Sequence, residues 1–150
     1  MDDATMSDLA QAMFQRALGD DRHVFGSFFL SRLLGFDVSY DGESCTVAFQ
    51  AIPPLFNPQG TLHGGILATA MDVSMGHLLH HVDAAGTTLE MKLQYLAPVQ
   101  RGRVCCQASF LRRGRSLSFL QSHARNEDGQ LIAHATATWK RLRQAGATSA

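Results

Sequence analysis

The sequence predicts an α+β domain in which one antiparallel sheet curls around a single long helix. Three observations carry that prediction. Segment 65–81 is apolar on nearly every side, and a helix of that kind belongs in an interior. Runs with a period of two flank it, a hairpin before and four runs after, divided by turn residues. The chain has 150 residues, 45% of them hydrophobic, enough for one domain with a core of its own.

Taken in order, Ser7 is placed to cap a first helix over 7–18, since Leu9, Ala10, Met13, Phe14 and Ala17 recur at helical spacing before Gly19. A short second helix is expected over 27–34. The period then changes to two through Phe36, Val38 and Tyr40, an Asp41-Gly42 turn, and Cys45, Val47 and Phe49, which reads as a hairpin. Pro53-Pro54 and Asn57-Pro58-Gln59-Gly60 make a loop before the long helix. After Gly86, alternating runs at 87–99, 103–112, 116–126 and 131–142 predict an antiparallel meander, with turns at Gln100-Arg101-Gly102, Arg113-Gly114 and Asp128-Gly129. One domain is expected over 1–150, with its core at about 27–142 and a disordered tail after residue 143.

Composition narrows the function. Lys and Arg number 13 against 13 Asp and Glu, so the chain lacks the positive field that non-specific nucleic-acid binding needs. No apolar run is long enough to span a bilayer: the best, 24–36, is short and interrupted by Arg32. The opening Met1-Asp2-Asp3 is acidic where a secretory signal would be basic, and three cysteines give no disulfide framework. A cytoplasmic location is therefore expected, with no membrane partner.

Asp72 is the anomaly. It is the one ionisable residue between Gly64 and His77, and burying an unpaired carboxylate costs several kcal/mol. Such a residue caps a loop, pairs with an arginine, or performs chemistry. Its helix opens with Gly60-Thr61-Leu62-His63-Gly64-Gly65, where free amides could receive a developing negative charge, as acyl transfer requires, or where glycines simply permit a tight loop. Asp72 lies eight residues beyond Gly64, about 12 Å along a helix. Both can act on one carbonyl only if two copies of the chain meet at a two-fold interface.

The string Asn57-Pro-Gln-Gly60-Thr-Leu-His63-Gly64-Gly65, followed by Asp72 nine residues after the histidine, resembles the signature of the hotdog-fold acyl-CoA thioesterases of the phenylacetate-degradation (PaaI-like) type. The likeness runs from about residue 27 to 140 and takes in Leu34-Gly35-Phe36, Tyr95-Leu96-Ala97-Pro98 and Arg113-Gly114-Arg115-Ser116-Leu117. The resemblance implies a hotdog fold that pairs into homodimers, and often into dimers of dimers, giving a homotetramer. It implies Asp72 as general base or nucleophile, the Gly64 amide as polariser of the thioester carbonyl, and Asn57 as holder of water or substrate. His63 would lie near the sulfur or orient the loop. Thr88, or less directly Thr87, would fix the attacking water. Gly65, Arg113, Gly114 and Arg115 would contact substrate, the arginines meeting coenzyme A phosphates. No cofactor is expected beyond coenzyme A as part of the substrate.

Other clusters carry plainer readings. His77 and His81 are one turn apart but lack the glutamate of a His-Glu-x-x-His site, and no metal is expected. His123 and His134 read as structural. Cys105 and Cys106 alternate across a strand with no activating neighbour, and Phe25, Phe28 and Phe29 cover the core edge or line an acyl pocket. The rivals to hydrolysis are a hotdog acyl-CoA dehydratase or hydratase and a non-catalytic acyl-CoA-binding protein. The spacing to Asp72 argues against the first, and the carboxylate itself against the second.

Overall fold

A computed structural model describes residues 4–143. The expected tail after residue 143 lies outside them. The elements are α1 (Met6–Leu18), α2 (Phe29–Leu34), β1 (Asp37–Asp41), β2 (Ser44–Ala51), a 3-10 turn (Pro53–Leu55), α3 (Gly64–Val82), β3 (Gly86–Tyr95), β4 (Gly102–Arg113), β5 (Leu117–Arg125) and β6 (Leu131–Arg141).

Helix α3 buries Leu67, Ala70, Met71, Ser74, Met75, Leu78 and Leu79 against the concave face of one six-stranded antiparallel sheet. That face supplies Val47, Phe49, Val104, Cys106, Leu120, Ala135 and Trp139. Gly76 is small by necessity, since a Cβ there would stand 2.6 Å from the Trp139 ring. The predicted sheet around a helix is what forms, the hotdog arrangement. Among the described residues no helix is long and apolar enough to cross a membrane.

Three expectations need correction. The α1 cap is Thr5 rather than Ser7: Thr5 Oγ1 accepts from the Asp8 amide at 3.2 Å, and the Asp8 carboxylate accepts from the Thr5 amide at 3.0 Å. This reciprocal box lets Met6 join the helix. Helix α2 starts at Phe29, not 27, because the Ser27 backbone is paired with Val24. The strand order is β1-β2-β4-β5-β6-β3, so only β4, β5 and β6 form the expected meander. Strand β3 sits beyond β6 at the sheet edge. Six residues, 96–101, separate β3 from β4 and include Pro98, too long a connection for a tight hairpin. They carry the chain past the start of α3, where Val99 accepts from the Leu62 amide, and deliver β4 beside β2.

Candidate active site

Asp72 lies midway along α3, half-buried, with its carboxylate turned toward β3. Thr88 Oγ1 donates to Asp72 Oδ1 at 2.8 Å. Oδ2 accepts no hydrogen bond from the described residues, yet it is not sealed from solvent. No arginine, lysine or histidine among the described residues forms an ion pair with Asp72. Burial raises its pKa above the ordinary 3.8, and the Thr88 hydrogen bond pulls in the opposite direction. The carboxylate is thus held by one side chain and open at one oxygen, neither neutralised by a cation nor spent on a loop.

Thr88 reaches it through a bulge. Thr88 pairs with Trp139 and Glu90 with Thr138, so Leu89 is an extra residue in β3. Met91 and Leu93 pack on the core. Strict alternation from them would turn Thr87 inward, and the bulge at Leu89 turns Thr88 inward instead.

The other half of the expected site surrounds the start of α3. Asn57 Oδ1 accepts from the Gln59 and Thr61 amides at 3.0 and 3.2 Å, and its Nδ2 donates to Thr61 Oγ1 at 3.0 Å. Asn57 therefore knits the loop that leads into the helix. His63 is the N-cap, and its Nδ1 accepts from the Gly65 amide at 2.9 Å. This places the imidazole proton on Nε2 when the ring is neutral. The Ile66 and Leu67 amides both donate to the His63 carbonyl. Of the orphan donors in the first turn, only the Gly64 N–H has no acceptor among the described residues. The Gly65 amide is occupied, so its share in any contact with substrate is the close approach of bare backbone. A cavity of about 390 Å³ opens here, lined by Asn57, Thr61, Gly64, Tyr95, Leu96 and Pro98 among others.

The arginines stand elsewhere. Arg113 donates to Glu43 Oε1 at 3.2 Å and to the Val82 carbonyl at 3.3 Å, which puts it at the far end of α3, about 27 Å along the helix from Gly64. Arg115 is exposed beside it. Gly114 has no room for a side chain, since a Cβ would collide with the Leu117 carbonyl. His77, by contrast, is structural: Nε2 accepts from the Gly26 amide at 2.8 Å, and Phe25 lies against the rings of His77 and His80. His23, Val24, Phe25, Phe28 and His77 line a second, apolar concavity. His123 and His134 lie ring to ring, 4.6 Å apart, and His81 stacks on Tyr40.

The structure thus brings Asp72 to Thr88, and Asn57, His63, Gly64 and Gly65 to one another, leaving Arg113, Gly114 and Arg115 at a third place. Sequence reasoning noted Tyr95 only within a run of residues. Its hydroxyl donates to the Gly64 carbonyl at 2.6 Å, a contact that no local spacing announces.

Comparison with known proteins identifies the family and the fold. A family model described as the Thioesterase superfamily matches residues 59–133, half of the chain. The medium/long-chain acyl-CoA thioesterase YigI of Escherichia coli K12 is 29% identical over 129 residues, covering 73% of this chain and 83% of YigI. A phenylacetic acid degradation-related protein of Ralstonia eutropha superposes with a TM-score of 0.70 at 28% identity, over 85% of this chain and 98% of that one. The BH2602 protein of Bacillus halodurans, solved with CoA, shares the fold at a TM-score of 0.82 and 21% identity, over 92% of this chain and 93% of that one. The chain belongs to the Thioesterase superfamily and is a thioester hydrolase of the hotdog fold.

Proposed function

We propose that the chain hydrolyses short-chain, medium-chain or aromatic acyl-CoA thioesters to the free acid and CoA. Asp72 acts as general base or nucleophile, and the carbonyl is held by the Gly64 amide of a second copy. The observation that carries this reading is the state of Asp72: half-buried, bonded to Thr88, open at Oδ2 and without a cationic partner. YigI, by its name an acyl-CoA thioesterase, supports the substrate class.

As general base, Asp72 takes a proton from water as the water oxygen bonds to the thioester carbon. The carbonyl oxygen becomes an oxyanion facing the Gly64 N–H. Collapse breaks the carbon–sulfur bond, the thiolate leaves, and the proton passes on to it. As nucleophile, Asp72 bonds to that carbon first and water cleaves the resulting anhydride. A thiolate leaves readily, so neither route needs a strong general acid or a cofactor. Thr88 keeps its lone pairs free to accept from the attacking water while its hydrogen serves Asp72. Asn57 keeps the loop in shape, and His63 presents Nε2–H toward the sulfur side. The bare backbone of Gly65 lets substrate approach. Arg113, Gly114 and Arg115 receive coenzyme A phosphates; the Arg113–Glu43 pair is exposed on both sides, a weak tie that phosphate can displace.

Two features support a homodimer. Among the described residues, strand β3 is hydrogen-bonded along one edge only and exposes Leu89, an edge that a second β3 could cover. Asp72 and Gly64 are also too far apart in one chain to share a substrate atom. On the sheet face turned away from α3, Thr46 pairs with Gln107 and Gln121 with Thr136, and this is the face on which two dimers would pair into a tetramer. The free thiols of Cys45, Cys105 and Cys106 suit the cytoplasm.

Thiol release from a panel of acyl-CoAs tests the reading. Wild-type protein is expected to turn over at least one class, and Asp72→Asn to lose about 100-fold or more in kcat/KM. Equal rates for the two proteins would remove Asp72 from the chemistry. Binding of acyl-CoA without thiol release would make the chain a non-catalytic binder.

A further inference from the structure

Tyr95 lines the cavity at the start of α3 and has no part in the hydrolysis as written. Tyr95, the last residue of β3, places its hydroxyl 2.6 Å from the Gly64 carbonyl. The peptide joining Gly64 to Gly65 is thereby held at both ends, because its N–H donates to His63 Nδ1 at 2.9 Å. The preceding peptide, which carries the Gly64 N–H, is held only through the His63 carbonyl, the acceptor for Ile66 and Leu67.

Gly64 is the joint between those two planes. A glycine joint has the widest dihedral freedom of any residue, so fixing the second plane restricts where the first N–H points. A side chain at position 64 would crowd this contact, since a Cβ would stand 3.0 Å from the Tyr95 ring. Burial raises the Tyr95 pKa above its ordinary 10.0, so the hydroxyl remains a donor throughout the neutral range.

We propose that Tyr95 is a positioning residue for the amide that receives the thioester carbonyl: its hydroxyl grips the first carbonyl of α3 and keeps the Gly64 N–H aimed into the cavity. This rests on the reading of Gly64 as oxyanion donor. A donor held in place before reaction needs no reorganisation as charge develops, so the benefit falls on the chemical step rather than on substrate binding.

Steady-state kinetics on octanoyl-CoA with full-length Tyr95→Phe, Tyr95→Leu and Asp72→Asn, alongside melting temperatures, tests it. Phenylalanine keeps the ring against Gly64 and removes only the hydroxyl. Tyr95→Phe is expected to lower kcat about tenfold, with KM within about twofold of wild type and an unchanged melting temperature. Tyr95→Leu is expected to lose at least as much kcat. Wild-type kcat in Tyr95→Phe overturns the proposal. So does a rise confined to KM, which would make Tyr95 a wall of the binding pocket and no more. Full activity in Asp72→Asn defeats the reading of the site itself, and the two failures are therefore distinct.

Discussion

The two oxygens of Asp72 have different company, and the difference is measurable. Oδ1 accepts from Thr88, while Oδ2 is open. Burial raises the pKa and the Thr88 bond lowers it. If hydrolysis needs the ionised form, the pH–rate profile must have an acidic limb above 3.8, the ordinary carboxylate value. Thr88→Val removes the lowering contribution together with the contact offered to the attacking water. The limb is then expected to move to higher pH, with kcat depressed most on the acidic side and least on the alkaline plateau. A limb that stayed in place or moved down would show that Thr88 does not stabilise the ionised carboxylate. Much of this site was legible in the residues, because a charge within an apolar helix and a His-Gly-Gly entrance stand out wherever the chain folds. Thr88 was legible only beside Thr87. What chooses between them is a bulge at Leu89, a backbone event at a residue with no turn or glycine character. The partners of Asn57 and Tyr95 were equally hidden, since both depend on where the chain comes back in space.

At the scale of elements, the same division holds between what local period encodes and what long-range pairing decides. The largely apolar character of 65–81 gave α3 to within a residue at each end, and Asp41-Gly42 gave the β1–β2 hairpin. Nothing in the alternation of 87–99 says whether that strand will pair with its successor or with β6. The packing of α3 against the segment before α2 was also out of reach, and it makes a prediction of its own. His77 is buried, and its Nε2 must be unprotonated to accept from the Gly26 amide. Burial, helped by the nearby His80, lowers its pKa from 6.5 to about 4. Above pH 6.5 both folded and unfolded chains carry it neutral. Below that value the unfolded chain takes up a proton that the folded chain refuses, so stability falls with pH until the folded His77 titrates near 4. Thermal melts between pH 7 and pH 4 are expected to show this decline, and His77→Gln, whose side chain can still accept from Gly26, to flatten it. An identical slope in both proteins would place the loss in other groups.

At the scale of the whole molecule, the proposed reaction fails unless two chains meet. In one chain the Gly64 amide and Asp72 are about 12 Å apart along a rigid helix, too far for both to touch one carbonyl group. Each site would therefore take its oxyanion donor from one copy and its carboxylate from the other, and this can be tested without seeing the dimer. Asp72→Asn destroys the carboxylate. Gly64→Pro removes the N–H at the first helical position, where proline is tolerated, although the Tyr95 ring must yield a few tenths of an ångström to the new Cβ. Alone, each variant is expected to be inactive. Co-folded in equal amounts, about half the dimers contain one copy of each. In such a dimer both lesions fall in one site and the other site is intact, so the mixture should recover about a quarter of wild-type activity per chain. Were the carboxylate and the amide of a site supplied by the same chain, each mixed dimer would carry two broken sites and no activity would return. Recovery near a quarter, appearing only after subunits are allowed to exchange, is the signature of a site divided between copies.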